Sequence, residues 1–390
     1  MKRSSDRILT THVGSLPRSA QLIEAMGKIE RGEMKDRGEF ERLVDRAVAT
    51  VVAKQAELGI DIVDDGEVGK VGFITYINER LGGFEPLQVE RKSTWDDTKE
   101  ALAFPEFYEP ISRAIAASKS SPPGFGHLAC VGPISYTGQP SLARDLARLR
   151  DATKNLNIAE AFVPSISPAT VEYWQKNQYY KTEDEYLTAL CDALHEEYKA
   201  IVDAGFLVQI DDPQLASQYM WEPDWTIAQS RKWAERRVEA LNYALRGIPA
   251  EKIRHHTCHS IDMGPRTTDM ELGDIMDIVL KINAAAYSFE AANGRHEHEY
   301  ALWDEVSLPD GKLLIPGVIT NASVVVEHPK LVADRLLRFA QRVGKENVIA
   351  GADCGFATFA VTADIKPSIV WAKFSALVEG ARIASQQLWS

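Results

Sequence analysis

The chain has 390 residues, 45% hydrophobic and 26% charged, enough core for one large barrel or two average domains. Its 44 basic and 56 acidic residues give a net charge of -12, which argues against a nucleic-acid surface, and no run of 18 apolar residues offers a membrane span. The opening MKRSSDRILTTHVGS lacks the apolar stretch of a secretory signal, and four cysteines are too few for a disulfide scaffold, so a reducing cytoplasm with free thiols is expected.

Eight short apolar runs read as strands: 8–15, 59–67, 160–167, 205–212, 253–259, 284–290, 313–320 and 347–354. Helical patterns separate them. Leu43, Val44, Ala47, Val48, Val51 and Val52 mark one apolar face; Leu187, Leu190, Cys191, Leu194 and Ile201 mark another; Val370, Phe374, Leu377 and Ile383 mark the last. Strand alternating with helix implies parallel strands with helical crossovers, and eight such units point to an α/β fold, a single (β/α)₈ barrel. Residues 84–150 break the rhythm with Phe84, Trp95, Phe104, Phe107, Tyr108, the breaker SSPPGFG and a ninth apolar run, HLACVGPIS. They are read as an excursion between strands 2 and 3, a hairpin with helices over the barrel mouth. With no repeat or long linker, residues 1–390 are read as one catalytic domain.

Nearly every run ends in a polar or special residue: Ser15, Glu67, Asp211, Cys258, Glu290, Cys354. In a (β/α)₈ barrel those ends share the face that carries active sites. His256 and Cys258 are two apart on a strand and so point to one side. With Glu290 and Cys354 they make a tetrahedral zinc set of two sulfurs, one imidazole and one carboxylate. The plainer readings are a buried, inert Cys354 and a Glu290 paired with Arg295. Cys130 and Cys191 are read as core. A zinc with two thiolates deprotonates a further thiol that joins it, as alkyl transfer to sulfur requires. No HExxH of a zinc hydrolase occurs. His255 and His259 are read as supporting or structural, and RHEHEY (295–300) as a solvated or hydrogen-bonded loop. In QIDDP one aspartate should meet a cation, such as a substrate ammonium; helix capping is the alternative.

These residues resemble the C-terminal catalytic barrel of cobalamin-independent methionine synthase. TTHVGSLPR, ELGIDIVDDGE, VQIDDP, HTC and GADCGF are similar, in order, to its first-strand, Gly-Glu, Q-I-D-E-P, H-x-C and P-D-C-G segments. The resemblance implies a (β/α)₈ barrel, zinc on His256, Cys258, Glu290 and Cys354, and Ser15, Glu67 and Asp211 around the amino-acid end of a thiol acceptor. In the family the acceptor is homocysteine and the donor a methyltetrahydrofolate. The long family enzyme has a further N-terminal barrel that this sequence does not include. The family's V-Y-D-I-H-S segment, whose histidine is thought to be the general acid, is matched by GVITNAS, with Ala322 at that histidine's place. His12 is the alternative proton donor, and Trp174, within EYWQKNQYY, a candidate for the donor pocket.

The expected function is therefore zinc-dependent methyl or alkyl transfer to a small-molecule thiol, homocysteine first. Epoxide opening by a thiol, as in epoxyalkane–coenzyme M transferase, and a non-catalytic barrel with structural zinc are the alternatives. Neither nucleic acid nor membrane is expected as a partner, and a homo-oligomer is compatible with this reading.

Overall fold

Strands β7 to β11 are buried at every position, so their side chains pack on both faces of the sheet, and this is why they read as unbroken apolar runs. The computed structural model describes residues 1–34, 36–87, 95–117, 128–259, 264–360 and 365–390. In chain order the strands are β1 (Leu9–Thr10), β2 (Ile62–Val63), β3 (Leu81–Pro86), β4 (Leu128–Tyr136), β5 (Glu160–Ile166), β6 (Lys176–Asn177), β7 (Leu207–Asp211), β8 (Ile253–His256), β9 (Ala286–Phe289), β10 (Leu313–Ile319) and β11 (Ile349–Ala352). Eight form one sheet in the order β1-β11-β10-β9-β8-β7-β5-β2, with every pairing parallel. Each of the eight expected runs contains one of them. The ends of the sheet meet through Asp61 N–H donating to the Thr10 carbonyl at 3.1 Å and Thr11 Oγ1 donating to the Ile62 carbonyl at 2.9 Å. The Asp61 carboxylate reinforces this seam, accepting from Thr10 N at 2.9 Å and from both Arg7 terminal nitrogens.

Helices return the chain between strands and are capped by their own sequence. Residues 37–58 start on the Asp36 side chain and stop at Gly59, whose φ of 90° lies in the left-handed region. Helices 183–203 and 227–244 each open with a capping box, Thr182 with Glu185 and Thr226 with Gln229. The expected apolar faces are buried at Leu43, Val44, Val48, Val51 and Val52, at Leu187, Leu190, Cys191, Leu194 and Ile201, and at Val370, Phe374 and Leu377. Ala47 and Ile383 pack partly buried at the edge of the core.

Within the barrel, Leu9, Ile62, Phe162, Leu207, Ala286, Leu313, Ile315 and Ile349 form one plug. β8 contributes a cation there: the Arg254 guanidinium lies 4.1 Å above the Phe162 ring and donates to Thr11 Oγ1 at 2.9 Å and the His12 carbonyl at 2.7 Å. His256 sits two residues further on and so faces the same way, toward the rim.

The excursion forms a side sheet: β3 pairs antiparallel with β4, and β4 parallel with β6. Its helix 99–103 is tied to the C-terminal rim. Glu100 accepts from Thr267 N, Thr268 N and Thr268 Oγ1 in the segment after β8, and Lys99 donates to the Trp225 carbonyl after β7. The SSPPGFG breaker lies outside the described residues. Among the described residues no helix is long and apolar enough to cross a membrane.

Phe162 is fully buried beneath Arg254 and beside His12. Its truncation should therefore cost both packing and a seat for a buried cation. Phe162→Ala is expected to lose roughly 3–5 kcal/mol in urea unfolding and Phe162→Leu less than half of that; a loss below about 1 kcal/mol for the alanine variant would contradict the barrel packing.

Candidate metal and substrate site

The ligand-capable atoms of His256, Cys258 and Cys354 lie within 4.8 Å of one another, and all three residues are buried. β8 ends at His256, which puts His256 and Cys258 on the rim; β11 ends at Ala352, two residues before Cys354. Cys258 Sγ and Cys354 Sγ stand 3.5 Å apart, and neither is in a disulfide. That is far beyond a disulfide bond and close to the roughly 3.8 Å of two thiolates on a tetrahedral zinc with ~2.3 Å bonds. The His256 ring is set by Nδ1 and Ser288 Oγ at 3.1 Å, which leaves Nε2 buried with no hydrogen-bond partner. Burial holds this imidazole down to about 3, helped by His255 and Arg254, so it is neutral, and in the tautomer in which Nδ1 donates to Ser288 its Nε2 carries a lone pair. Two sulfurs and an orphaned imidazole nitrogen fit a zinc ion.

Glu290, the fourth residue expected in this set, is directed elsewhere. Its Oε2 lies 2.8 Å from an Arg266 nitrogen and accepts from Asn293 Nδ2 at 2.7 Å, while Oε1 accepts from His259 N at 2.8 Å. Burial disfavours its charge, but Arg266 and His259 outweigh this and hold the carboxyl below its usual range. The structure groups it with His259 and His296 instead. Arg295, the partner of Glu290 in the plainer reading, pairs with Glu271 instead. RHEHEY is not a solvated loop throughout: it enters a 3₁₀ helix, Glu297–Asp304, and His296 is buried, stacked 4.0 Å from His259. His296 is held between Asp269 Oδ2 at 3.1 Å and Glu299 Oε2 at 2.9 Å, which raise it to about 10 against burial. His298 remains exposed.

Ser15, Glu67 and Asp211 converge on the same rim. Ser15 abuts the residue after Cys354: a Cβ at Gly355 would collide with Ser15 Oγ, and Phe356 N donates to the Ser15 carbonyl at 2.9 Å. Glu67 takes φ 52°, unusual for a non-glycine, and Gly14 passes so close that an added Cβ would lie 2.9 Å from Glu67 Oε1. Lys70, three residues on, pairs with Glu67 Oε2 at 3.1 Å and donates to the Pro164 carbonyl at 2.8 Å. Asp211 accepts from Gln209 Nε2 at 2.7 Å. Burial and then the Glu67 charge push its carboxyl well above the usual range, with Lys70 and Gln209 offsetting only part. Neither aspartate of QIDDP caps the next helix, whose N-terminus falls on Pro213; Asp212 instead accepts from Ser167 Oγ at 2.8 Å. Lys70 and Gln209 went unread in the sequence, although their spacings from Glu67 and Asp211 were visible.

The family model for the catalytic domain of cobalamin-independent synthase matches residues 8–106 and 165–369. The chain belongs to the cobalamin-independent synthase family. Methionine synthases of Sulfurisphaera tokodaii and Thermococcus kodakarensis are each 24% identical to it; both alignments cover 97% of this chain, and 93% and 94% of those relatives. A B12-independent methionine synthase from Shewanella sp. W3-18-1, solved with selenomethionine, has the same fold at 20% identity and a TM-score of 0.73, covering 98% of this chain and 99% of that one. A putative vitamin-B12-independent methionine synthase from Listeria monocytogenes superposes at a TM-score of 0.67 and 20% identity, covering 97% and 98%. The stretch between the two matched segments, 107–164, contains much of the excursion and most of β5.

Three further expectations can be placed on this synthase barrel. His12 is 1% exposed, with Nε2 at 2.7 Å from Gln55 Oε1 and its ring between Phe162 and Phe374. Burial holds its imidazole down to about 3, so the residue expected as the alternative proton donor is a buried ring packed between the two phenylalanines. Ala322 follows β10 in a turn where its N–H donates to Thr320 Oγ1 at 3.0 Å. Trp174 ends helix 168–174 after β5, edge-on to Tyr173 and Trp221, and Trp221 in turn stacks on Trp95 of the excursion at 4.9 Å.

Because the Asp211 carboxyl titrates higher folded than unfolded, the stability its protonated form gives at low pH is lost as pH rises, and at pH 7 burying it costs the fold. In metal-free protein, Asp211→Asn should melt at or above the wild type at pH 7, with the advantage shrinking toward about pH 4. A variant melting several degrees lower at pH 7 would show that Asp211 is already compensated.

Proposed function

We propose that this chain is a zinc-dependent transferase that places a methyl or alkyl group on the sulfur of an amino-acid thiol, with homocysteine as the acceptor. One observation carries the reading: the His256, Cys258 and Cys354 ligand atoms share a rim with an acidic pair, Glu67 and Asp211, for which Lys70 supplies one compensating charge beside them. Zinc held by those three residues would supply a Lewis acid that keeps a bound thiol as its nucleophilic thiolate at neutral pH. The protein's own groups do the rest. An ammonium between Glu67 and Asp211 would restore the charge balance that burial denies Asp211, and Ser15, packed against Gly355, would take the acceptor carboxylate next to the sulfurs. Ser288 engages Nδ1 of His256 and leaves its Nε2 for the metal.

Coenzyme M carries no ammonium and would leave the acidic pair uncompensated, which favours homocysteine over the epoxide reading. The name carried by the relatives, methionine synthase, supports the same acceptor. On the donor side, Ala322 has no proton to give and His12 is sealed and neutral, which favours a donor whose leaving group departs without protonation from either place. Four free thiols fit a reducing compartment, and we place the enzyme in the cytoplasm.

Calorimetry in buffers of different ionisation enthalpy tests the acceptor. Zinc-loaded protein should release about one proton more per homocysteine than per homoserine bound at pH 7, because only the thiol deprotonates on the metal while both ligands bring the same ammonium to Asp211. Equal affinity for both, or homocysteine binding without that extra proton, would remove the transferase reading. Metal analysis tests the site: Cys354→Ser should weaken zinc binding by about tenfold or more, and full zinc retention would show that the metal lies elsewhere.

A further inference from the structure

Buried cations in this barrel commonly meet a carboxylate or a ring. Arg80 meets Glu197, Lys373 meets Glu327, Arg266 meets Asp269, and Arg254 lies on Phe162. Arg18, 5% exposed, directs its donors to main-chain carbonyls instead: Nε to Val68 at 3.3 Å, Nη1 to Ala357 at 2.8 Å, and Nη2 to Glu67 and to Lys70 at 2.7 Å each. Burial holds its guanidinium down to about 10, offset in part by the charges of Glu67 and Asp65. A buried charge bonded to dipoles alone is expensive. What those carbonyls belong to shows what the expense achieves.

They lie on two loops of the C-terminal rim. Glu67, Val68 and Lys70 follow β2 and Ala357 follows β11, while Arg18 itself follows β1. Lys70 N donates to the Glu67 carbonyl at 3.0 Å, so a single Arg18 nitrogen closes over both ends of a tight turn. Glu67 is held on its other side too, where its N–H donates to Asp65 Oδ1 at 2.8 Å. Among the described residues three non-glycines take a positive φ, and Glu67, at 52°, is one of them. Such a backbone persists only where its surroundings impose it. The bonds to Asp65 and Arg18 are those surroundings.

We propose that Arg18 is a positioning residue for the ammonium group of the acceptor: by pinning the Glu67–Lys70 turn to the loop after β11, it sets the direction of the Glu67 carboxylate. The inference rests on the proposed function above and adds to it the residue that holds the ammonium subsite in place. Arginine suits the task. Its planar fork reaches carbonyls of two loops at once in a fixed geometry, whereas a lysine ammonium is a point donor on a flexible stem. Closure of the barrel does not depend on it, because the seam between β1 and β2 runs through Asp61, Thr10, Thr11 and Arg7. Ser15 is tied to the loop after β11 separately, through Phe356 N. Loss of Arg18 should therefore loosen Glu67 and leave the carboxylate and sulfur ends of the acceptor site in place.

Calorimetry on zinc-loaded protein tests this with two ligands, homocysteine and 4-mercaptobutanoate, which is homocysteine without its amino group. The wild type should prefer homocysteine. Arg18→Gln should weaken homocysteine about tenfold, the scale of one charge-assisted hydrogen bond, and change 4-mercaptobutanoate by less than about twofold. Arg18→Lys keeps the charge and the stem and should lose part of the preference, so it decides the matter even if Arg18→Gln does not fold. In a Glu67→Gln background neither substitution should weaken homocysteine further. Equal weakening of both ligands, additive losses with Glu67→Gln, or a preference unchanged in the Arg18 variants would overturn the proposal. A wild type with no preference for homocysteine would remove the ammonium subsite of the parent reading and this inference with it, so the wild type alone tells the two failures apart.

Discussion

The hydrogen bond from Asp61 N to the Thr10 carbonyl, backed by the Asp61 carboxylate, joins the two ends of the sheet. Without that seam the eight strands would be an open ribbon, with β1 and β2 at opposite edges. Closure places Ser15, which follows β1, beside Gly355, which follows β11, and brings Glu67, which follows β2, against Gly14. Ser15 and Glu67, both proposed for the acceptor, therefore depend on this edge-to-edge join. Parallel strands add a second condition: all their C-terminal ends must lie on one face, so residues from Ser15 to Cys354 converge there.

Charge then decides what that face can hold. The barrel buries Arg254 on the Phe162 ring, and farther up it buries Glu67, Lys70, Asp211 and Glu290. Glu290 and Asp211 are treated differently. Glu290 is fully compensated by Arg266 and its neighbours, and its carboxyl stays ionised. Asp211 is not, and its carboxyl is driven toward the protonated form. On the proposed function, a buried carboxylate in deficit on the rim that carries His256, Cys258 and Cys354 would suit a ligand that brings both a cation and a sulfur. Stability given up at Asp211 would be recovered on binding.

The strands were legible because a parallel strand buried on both faces must be an unbroken apolar run, and Cys258, Glu290 and Cys354 were legible because they interrupt such runs at their ends. What stayed hidden was which polar group each one meets. Arg295 stands five residues from Glu290 in sequence, yet the cation that reaches it is Arg266, from the segment after a different strand. RHEHEY has the composition of a solvated loop, and only the stacking of His296 on His259 and its two carboxylate partners explain why it is buried. His12 ends a strand, as a catalytic group would, but the Gln55 side chain from helix 37–58 engages it within the packing. These are long-range side-chain competitions, which periodicity and spacing do not encode.

The account turns on a thiol entering the metal shell. Zinc X-ray absorption of the loaded protein, recorded without and with homocysteine, measures this directly. The account predicts that a sulfur scatterer is added to the two from Cys258 and Cys354. A spectrum that neither homocysteine nor coenzyme M alters would contradict it and leave the metal a structural role.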